Sequence, residues 1–263
     1  EIVLVLPLAF PAYVLAYAYT FVLDHPGIVQ SSLRDLTGWG PRDYWFPEIR
    51  SLGGAALMLV LVLYPYVYLL ARAAFLQQTG GAFLAARALG KSAFEAFWRV
   101  SLPMARPAIA SGVLLAVMET IADFGTVSYF GVQTFATGIY TSWFSLADRA
   151  GAAQLALCLL SFALMLAVLE RTTRGKARYH QAGKRHASMP PAELKGLAAF
   201  GAWVLCAVPV VLGFLLPVFI LFSMGMQSEQ DLLSRRYIGF LQNSLLLAAT
   251  AAVLTVLAAV CLG

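Results

Sequence analysis

Long apolar stretches separated by short polar segments dominate the chain. A helix needs about 20 apolar residues to cross a hydrocarbon core of roughly 30 Å, and lipid leaves no partner for unpaired backbone groups. Each such stretch therefore predicts a membrane-spanning helix. Six stretches qualify, at residues 2–23, 51–71, 107–127, 150–169, 196–222 and 244–263. The pattern predicts an all-α polytopic membrane protein with about six transmembrane helices in this chain.

The composition excludes a water-soluble globule. Hydrophobic residues make up 60% of the chain and charged residues only 12%, whereas a soluble domain keeps about a quarter of its residues charged. The net charge of +5 does not indicate nucleic-acid binding, because no basic stripe is interleaved with aromatic residues. We expect membrane lipid, and no nucleic acid, around this chain.

The distribution of basic residues predicts the orientation. Strict alternation of six helices places segments 72–106 and 170–195 on one side of the membrane and segments 24–50, 128–149 and 223–243 on the other. The first group carries twelve Lys and Arg residues and the second carries six. By the positive-inside rule, the first group is cytoplasmic.

No motif predicts a metal or nucleotide bound by this chain. The three cysteines lie inside apolar stretches, and the three histidines have no ligand spacing. The phosphate-binding pattern G-x-x-x-x-G-K-[ST] does not occur either. An integral membrane enzyme would need a cluster of reactive side chains, and the sequence offers none, so we expect a protein that is not an enzyme.

Segment 72–106 has the pattern of two short helices. Gly90 permits the left-handed backbone that ends the first helix, and Ser92 is placed to cap the second. Phe94 begins an aromatic face that continues at Phe97 and Trp98. Lys91, Glu95 and Arg99 recur at every fourth position and form a charged face, and Pro103 is expected to end the unit.

This segment resembles the EAA loop of binding-protein-dependent ABC importer permeases. Ala85-Ala86, three residues, Gly90, nine residues, Val100, one residue and Leu102-Pro103 reproduce every interval of the family pattern, while Leu84 replaces its glutamate. In that family the loop is the coupling helix, which sits in a cleft of the ATP-binding subunit. The resemblance implies seven coupling residues: Ala85, Ala86, Gly90, Phe94, Val100, Leu102 and Pro103. An ordinary amphipathic helix pair at the membrane surface is the alternative.

Residues 6–13, 44–51, 118–126 and 177–180 resemble the fused ferric-iron permeases, whose relatives carry thiamine and phosphonates. The resemblance implies a type I ABC importer transmembrane domain of the MetI-like kind, built from two modules in one polypeptide. Residues 1–169 would be the C-terminal part of the first module, 170–195 a basic cytoplasmic linker, and 196–263 the truncated start of the second. Because both ends fall next to or inside apolar stretches, we expect an internal fragment of a longer protein.

Glu119 and Asp123 form an acidic pair within the third predicted span. Residues four apart share one face of a helix, and a carboxylate at this depth is costly unless it meets water or a cation. One hypothesis is that both line the outer part of a translocation path and attract a cationic substrate. The other is that both are structural and hydrogen-bonded to neighbouring helices.

Together these features predict the permease subunit of an ATP-driven importer in a bacterial inner membrane. The resemblance implies ATP and Mg²⁺ on separate ATP-binding subunits and a periplasmic binding protein that meets outer segments such as 24–50 and 125–147. It also implies ferric iron as substrate, with thiamine, phosphonate and polyamines as alternatives. A secondary transporter is the alternative class, but it would need charged, broken helices in both halves.

Overall fold

The computed structural model describes residues 2–41, 43–78, 80–174, 194–227 and 234–262, and these are helical with connecting turns and no strand. A 3-10 helix over Ile2–Ala9 comes first. Twelve α-helices follow in the described residues: α1 Ala12–Leu23, α2 Ile28–Thr37, α3 Leu52–Gln77, α4 Gly80–Ala88, α5 Ala93–Ala96, α6 Leu102–Ala122, α7 Gly125–Tyr129, α8 Phe135–Tyr140, α9 Arg149–Arg174, α10 Leu197–Val210, α11 Leu216–Gln227 and α12 Arg235–Leu262. Most of the predicted linker, residues 175–193, lies outside the described residues.

Five helical segments in the described residues are long and apolar enough to cross a membrane. They are Leu52–Gln77, Ala93–Ala122, Arg149–Leu169, Leu197–Gln227 and Arg235–Cys261. These confirm five of the six predicted spans, and the prediction of an all-α polytopic protein is confirmed with them. Hydropathy sufficed here because each segment contains an apolar window long enough to cross a membrane.

The sixth predicted span, residues 2–23, is not one continuous helix, and it passes the same test only when two helices that meet at a sharp bend are taken together. The 3-10 helix Ile2–Ala9 and the helical segment that begins at Ala12 meet at 85°. Pro11 has an extended backbone, with φ −63° and ψ 131°, and precedes the first turn of α1. Proline has no N–H to continue a helical hydrogen-bond ladder, so the chain turns there and starts a new helix.

The expectation that Pro103 ends the loop unit is wrong. α5 continues through a π-helical segment, Phe97–Ser101, directly into α6. Pro103 lies in the first turn of α6, a position that tolerates the missing N–H. A second π-helical segment, Val211–Leu215, joins α10 to α11 in the same way.

The packed centre lies between α1, α3 and α7. Leu15 and Met58 are fully buried, and Tyr19, Leu61 and Phe130 pack into the same cluster. α3 packs along α6 at Gly112, where an added Cβ would lie 2.7 Å from the Cα of Val67. Only glycine allows the two helix backbones to approach this closely.

The chain divides into two compact units, Glu1–Ile220 and Leu221–Gly263. Within the first unit, the Tyr19 hydroxyl donates a 2.7 Å hydrogen bond to the Leu212 carbonyl, and the rings of Phe10 and Phe214 pack edge to face at 5.7 Å. Within the second unit, α12 is exposed along the part that the structure describes. These units reflect spatial contacts alone, and the module boundaries at 169 and 196 stay a prediction.

Replacing Gly112 by alanine should destabilise the α3–α6 contact. A methyl group there meets the α3 backbone, which has no flexible atom to move aside, and overpacking of this kind costs about 1–3 kcal/mol. The matched control is Gly201→Ala in α10, where an added Cβ meets nothing within 4 Å and removing a helical glycine stabilises by up to about 1 kcal/mol. Thermal unfolding in detergent measures both variants, and equal midpoints would contradict the close contact.

Candidate functional site

The predicted loop consists of α4 and α5 joined by a tight turn at Gly90. The backbone of Gly90 is left-handed, with φ +84°. The turn closes on α4, because the N–H groups of Leu89 and Lys91 donate to the carbonyls of Ala85 and Ala86 at 3.0 and 3.1 Å. The predicted break at Gly90 is confirmed, and the Ala85-Ala86 pair lies where its carbonyls hold the turn.

A capping box starts α5. The Ser92 hydroxyl accepts a 3.1 Å hydrogen bond from the N–H of Glu95, and the Glu95 carboxylate accepts one from the N–H of Ser92 at 3.4 Å. Glu95 also lies 3.9 Å from the Lys91 ammonium and 3.6 Å from the Arg99 guanidinium. The predicted cap and charged face are therefore both present. Because all three side chains are partly exposed, each ion pair contributes at most about 1 kcal/mol.

The predicted aromatic face is present and continues onto α3. The rings of Phe94 and Trp98 meet edge to face at 6.0 Å, and 71% and 53% of these residues are exposed. Phe97 meets Trp98 edge to face at 6.1 Å and also packs against Phe75 of α3, with ring centroids 5.8 Å apart. Gln78, which follows α3, donates to the Ser101 carbonyl at 2.9 Å. The loop thus presents two apolar rings outward and is fixed to the end of α3 by the third.

The seven predicted coupling residues fall into two groups. Gly90, Phe94 and the alanine pair lie in the exposed loop, whereas Val100, Leu102 and Pro103 are half-buried in the π-helical segment and the first turn of α6. Phe75 and Gln78, which anchor the loop, were not predicted. Their contacts join residues more than twenty positions apart, and local spacing does not reveal them.

The two acidic residues have different surroundings. Asp123 directly follows α6, and its carboxylate accepts hydrogen bonds from the N–H groups of Thr126 and Val127, at 3.0 and 3.2 Å, and from the Thr126 hydroxyl at 3.1 Å. Asp123 therefore caps α7, and the span ends at Ala122 rather than near Val127 as predicted. Glu119 is exposed on α6 and makes no hydrogen bond or ion pair in the described part of the chain.

The segment after Asp123 forms the short helix α7, and part of it is buried. Thr126 is fully buried, and Val127 and Phe130 are 5% exposed. A Cβ added to Gly125 would lie 3.1 Å from the Cβ of Tyr13 in α1. The rings of Tyr17 and Tyr129 also meet edge to face at 6.2 Å. α7 is thus wedged against α1 and α3.

Arg50 joins three segments at this end of the bundle. Its Nε donates to the Asp24 carboxylate at 2.9 Å, and its Nη1 donates to the Tyr129 carbonyl at 3.2 Å. The guanidinium also lies 5.0 Å from the centre of the Tyr129 ring, a cation–π distance. Asp24 ends α1, Arg50 precedes α3 and Tyr129 ends α7, so one side chain ties all three together.

Asp24 and Arg50 each stabilise the charged form of the other. Partial burial acts to raise the pKa of the Asp24 carboxyl, but hydrogen bonds from Arg50 and from the N–H of His25 hold that pKa below its usual value. The hydrogen bond to Asp24 in turn raises the pKa of the Arg50 guanidinium. Both groups therefore stay ionised at neutral pH.

Among the described residues, no three His, Cys, Asp or Glu side chains lie close enough together to hold a metal ion. Cys158, Cys206 and Cys261 are free and exposed. The described residues thus offer two candidate sites. One is the exposed loop of α4 and α5, with its apolar and charged side chains, at the start of α6, and the other is the unpaired Glu119 carboxylate near the end of α6.

Asp123→Ala should destabilise the protein, whereas Asp123→Asn should do so much less. Alanine leaves two backbone N–H groups and the buried Thr126 hydroxyl without an acceptor, which costs about 1–2 kcal/mol. The asparagine amide oxygen still accepts. Thermal unfolding in detergent compares them, with Glu119→Gln as a surface control. Equal losses for alanine and asparagine would contradict the capping role.

Comparison with known proteins gives these features a context. The family model for the binding-protein-dependent transport system inner membrane component matches residues 1–175. The Fe(3+)-transport system permease protein FbpB 2 of Haemophilus influenzae is 26% identical over 184 residues, which cover 70% of this chain and 32% of that protein. The molybdenum transport system permease protein ModB of Escherichia coli is 28% identical over 170 residues, 62% of this chain and 70% of that protein.

A putative 2-aminoethylphosphonate transport system permease protein, PhnU of Salmonella typhimurium, is 27% identical over 169 residues, which cover 62% of this chain and 58% of that protein. The chain spans about a third of the length of FbpB 2. The region matched by the family model includes the two-helix loop, α6 and α7. Because this match covers well over half of the residues, the chain belongs to the family of inner membrane components of binding-protein-dependent transport systems.

Proposed function

We propose that this chain is part of the permease of an ATP-driven importer that passes ferric iron from a periplasmic binding protein into the cytoplasm. The observation that carries the proposal is the exposed loop of α4 and α5, which is continuous with a membrane-spanning helix. Family membership supports an importer component over a secondary transporter.

The exposed loop suits a partner interface. Phe94 and Trp98 form an apolar edge beside the Lys91, Glu95 and Arg99 charges, and aromatic side chains ringed by charges are typical of the centre and rim of protein interfaces. The positive-inside rule assigns this loop to the cytoplasm, where an ATP-binding subunit would meet it. ATP and Mg²⁺ would bind that subunit. Leu84, 52% exposed, would contribute an apolar contact where the family pattern has a glutamate.

The continuous helix would transmit movement of α5 to the membrane-spanning helix α6. Ala93–Ala122 forms one 30-residue helical segment, so Glu119 lies roughly 40 Å along the axis from the start of α5 at 1.5 Å per residue. A displacement of α5 by the ATP-binding subunit would tilt α6 as a rigid body. The Phe97 contact to Phe75 would pass part of that displacement to α3.

The proposal of ferric iron as substrate is based on the charge of Glu119. Relatives of this chain are named as ferric, molybdenum and 2-aminoethylphosphonate permeases. An unpaired carboxylate on a membrane-spanning helix favours a cation and repels an oxyanion. Of these cargoes, ferric iron is therefore the one that the charge of Glu119 supports.

Gly90→Pro should leave membrane insertion intact and abolish transport. Proline fixes φ near −65°, whereas Gly90 needs φ +84° to turn α4 into α5. Gly90→Asn is the matched control, because asparagine adopts left-handed backbone more readily than other side chains. Uptake by proteoliposomes, together with binding of the ATP-binding subunits, measures the effect. Normal uptake by the proline variant would remove the coupling assignment.

Proteoliposomes that contain the full-length permease, its ATP-binding subunits and its binding protein should take up radiolabelled ferric iron but neither molybdate nor 2-aminoethylphosphonate. Glu119→Gln should lower ferric uptake about five- to thirtyfold, since losing the charge removes roughly 1–2 kcal/mol of attraction. Its unfolding midpoint should stay that of the unmodified protein. Uptake of an oxyanion instead, or unchanged ferric uptake by Glu119→Gln, would overturn the substrate assignment.

A further inference from the structure

We propose that α7 is a plug that closes the outer end of the bundle and withdraws from α1 and α3 when the importer opens outward. This inference rests on the proposed transport function. The proposed plug is residues 123–132, which are more buried than the other connecting segments at this end. Within five positions, Thr126 is fully buried and Val127 and Phe130 are nearly so. A short connector with these burials fills space between helices.

The plug satisfies its own polar groups. Asp123 accepts from Thr126 and Val127, the N–H of Phe130 donates to the Thr126 carbonyl at 3.1 Å, and the N–H of Val132 donates to the Val127 carbonyl at 2.8 Å. These bonds lie within the segment and would move with it. Withdrawal would therefore not leave a buried backbone group unpaired, which is the usual obstacle to moving a buried segment.

Its attachment to α1 and α3 is mainly apolar. Across the described part of the chain, a single hydrogen bond joins α7 to α1, α3 or the residues beside them. In this bond, Arg50 donates to the Tyr129 carbonyl. The Arg50 and Asp24 side chains are 45% and 28% exposed, so water can replace their contacts at small cost. Arg50 is thus a positioning residue for the plug, and withdrawal would also separate Phe130 from the apolar cluster that includes Leu15 and Met58.

The backbone changes direction at both ends of α7, and a cleft lies beside it. Asp123 leaves α6 in an extended conformation, with ψ 125°, and Gly131 has φ +69°. A cleft of about 360 Å³ lies against the plug, lined by side chains that include Tyr17, Thr20, Phe21, Asp24, Arg50 and Tyr129. The cleft borders the contacts that Arg50 makes with Asp24 and Tyr129.

A cross-link between α1 and α7 tests the plug. A disulfide needs Cβ atoms about 3.5–4.5 Å apart, and a Cβ at position 125 would lie 3.1 Å from that of Tyr13, so a shift of a few tenths of an ångström suffices. The variant is Tyr13→Cys with Gly125→Cys, in a full-length permease in which Cys158, Cys206 and Cys261 are replaced by alanine. The protein is reconstituted with its ATP-binding subunits and its binding protein loaded with ferric iron.

Oxidation should lower both iron uptake and ATP hydrolysis about tenfold or more, and reduction should restore them, because locking one state removes the other from the cycle. The two single-cysteine variants are the controls and should not respond. Full uptake and hydrolysis by the cross-linked protein would overturn the plug. Recovery on reduction shows that the double variant folds.

A second measurement does not depend on the substrate. Val127→Cys should react with a water-soluble maleimide about tenfold faster after trapping with ATP and vanadate than without nucleotide, because a mostly seated plug becomes mostly withdrawn. Ser128→Cys, at an exposed position, should react quickly in both states. An unchanged rate at position 127 overturns the plug. If iron is not taken up but this rate still rises, the substrate assignment fails and the plug stands.

Discussion

The rest of the structure depends on the backbone contact between α3 and α6 at Gly112. A side chain there would collide with the Cα of Val67, so the two helix backbones can pack this closely only with glycine at that position. They run in opposite directions, because Gln78 after α3 bonds to Ser101 before α6, whereas Arg50 before α3 bonds to Tyr129 beyond the end of α6. One contact thereby holds together the two helices whose ends carry the loop of α4 and α5 and the short helix α7.

At the loop end, the interactions are individually weak and local. The capping box and the two ion pairs of Glu95 are exposed and screened, so they shape α5 without fixing its position in the bundle. Its position comes from Phe97 against Phe75 and from the uninterrupted helix into α6. A loop with a rigid base and an exposed apolar tip binds a partner without first having to order itself, which reduces the entropy cost of association.

The sequence predicted those parts of the fold that local patterns determine. Five spans follow from hydropathy, and the turn at Gly90 and the cap at Ser92 follow from the backbone preferences of glycine and serine. Proline was ambiguous: Pro103 fits both the end of one helix and the first turn of the next, and the choice depends on the π-helical segment before it. Pro11 falls within an apolar stretch and nevertheless divides it, because hydropathy does not register a missing N–H.

The acidic pair shows what spacing alone misses. Glu119 and Asp123 are chemically alike and four residues apart, yet Asp123 is saturated by the start of α7 whereas Glu119 has no partner among the described residues. The difference arises because α6 ends between them, and the residue that ends a helix is free to cap the next. Asp123 therefore links α6 to α7 mechanically. In the proposed transport cycle, a tilt of α6 would reach α7 through this cap, while Arg50 and the apolar contacts of α7 with α1 and α3 would resist it.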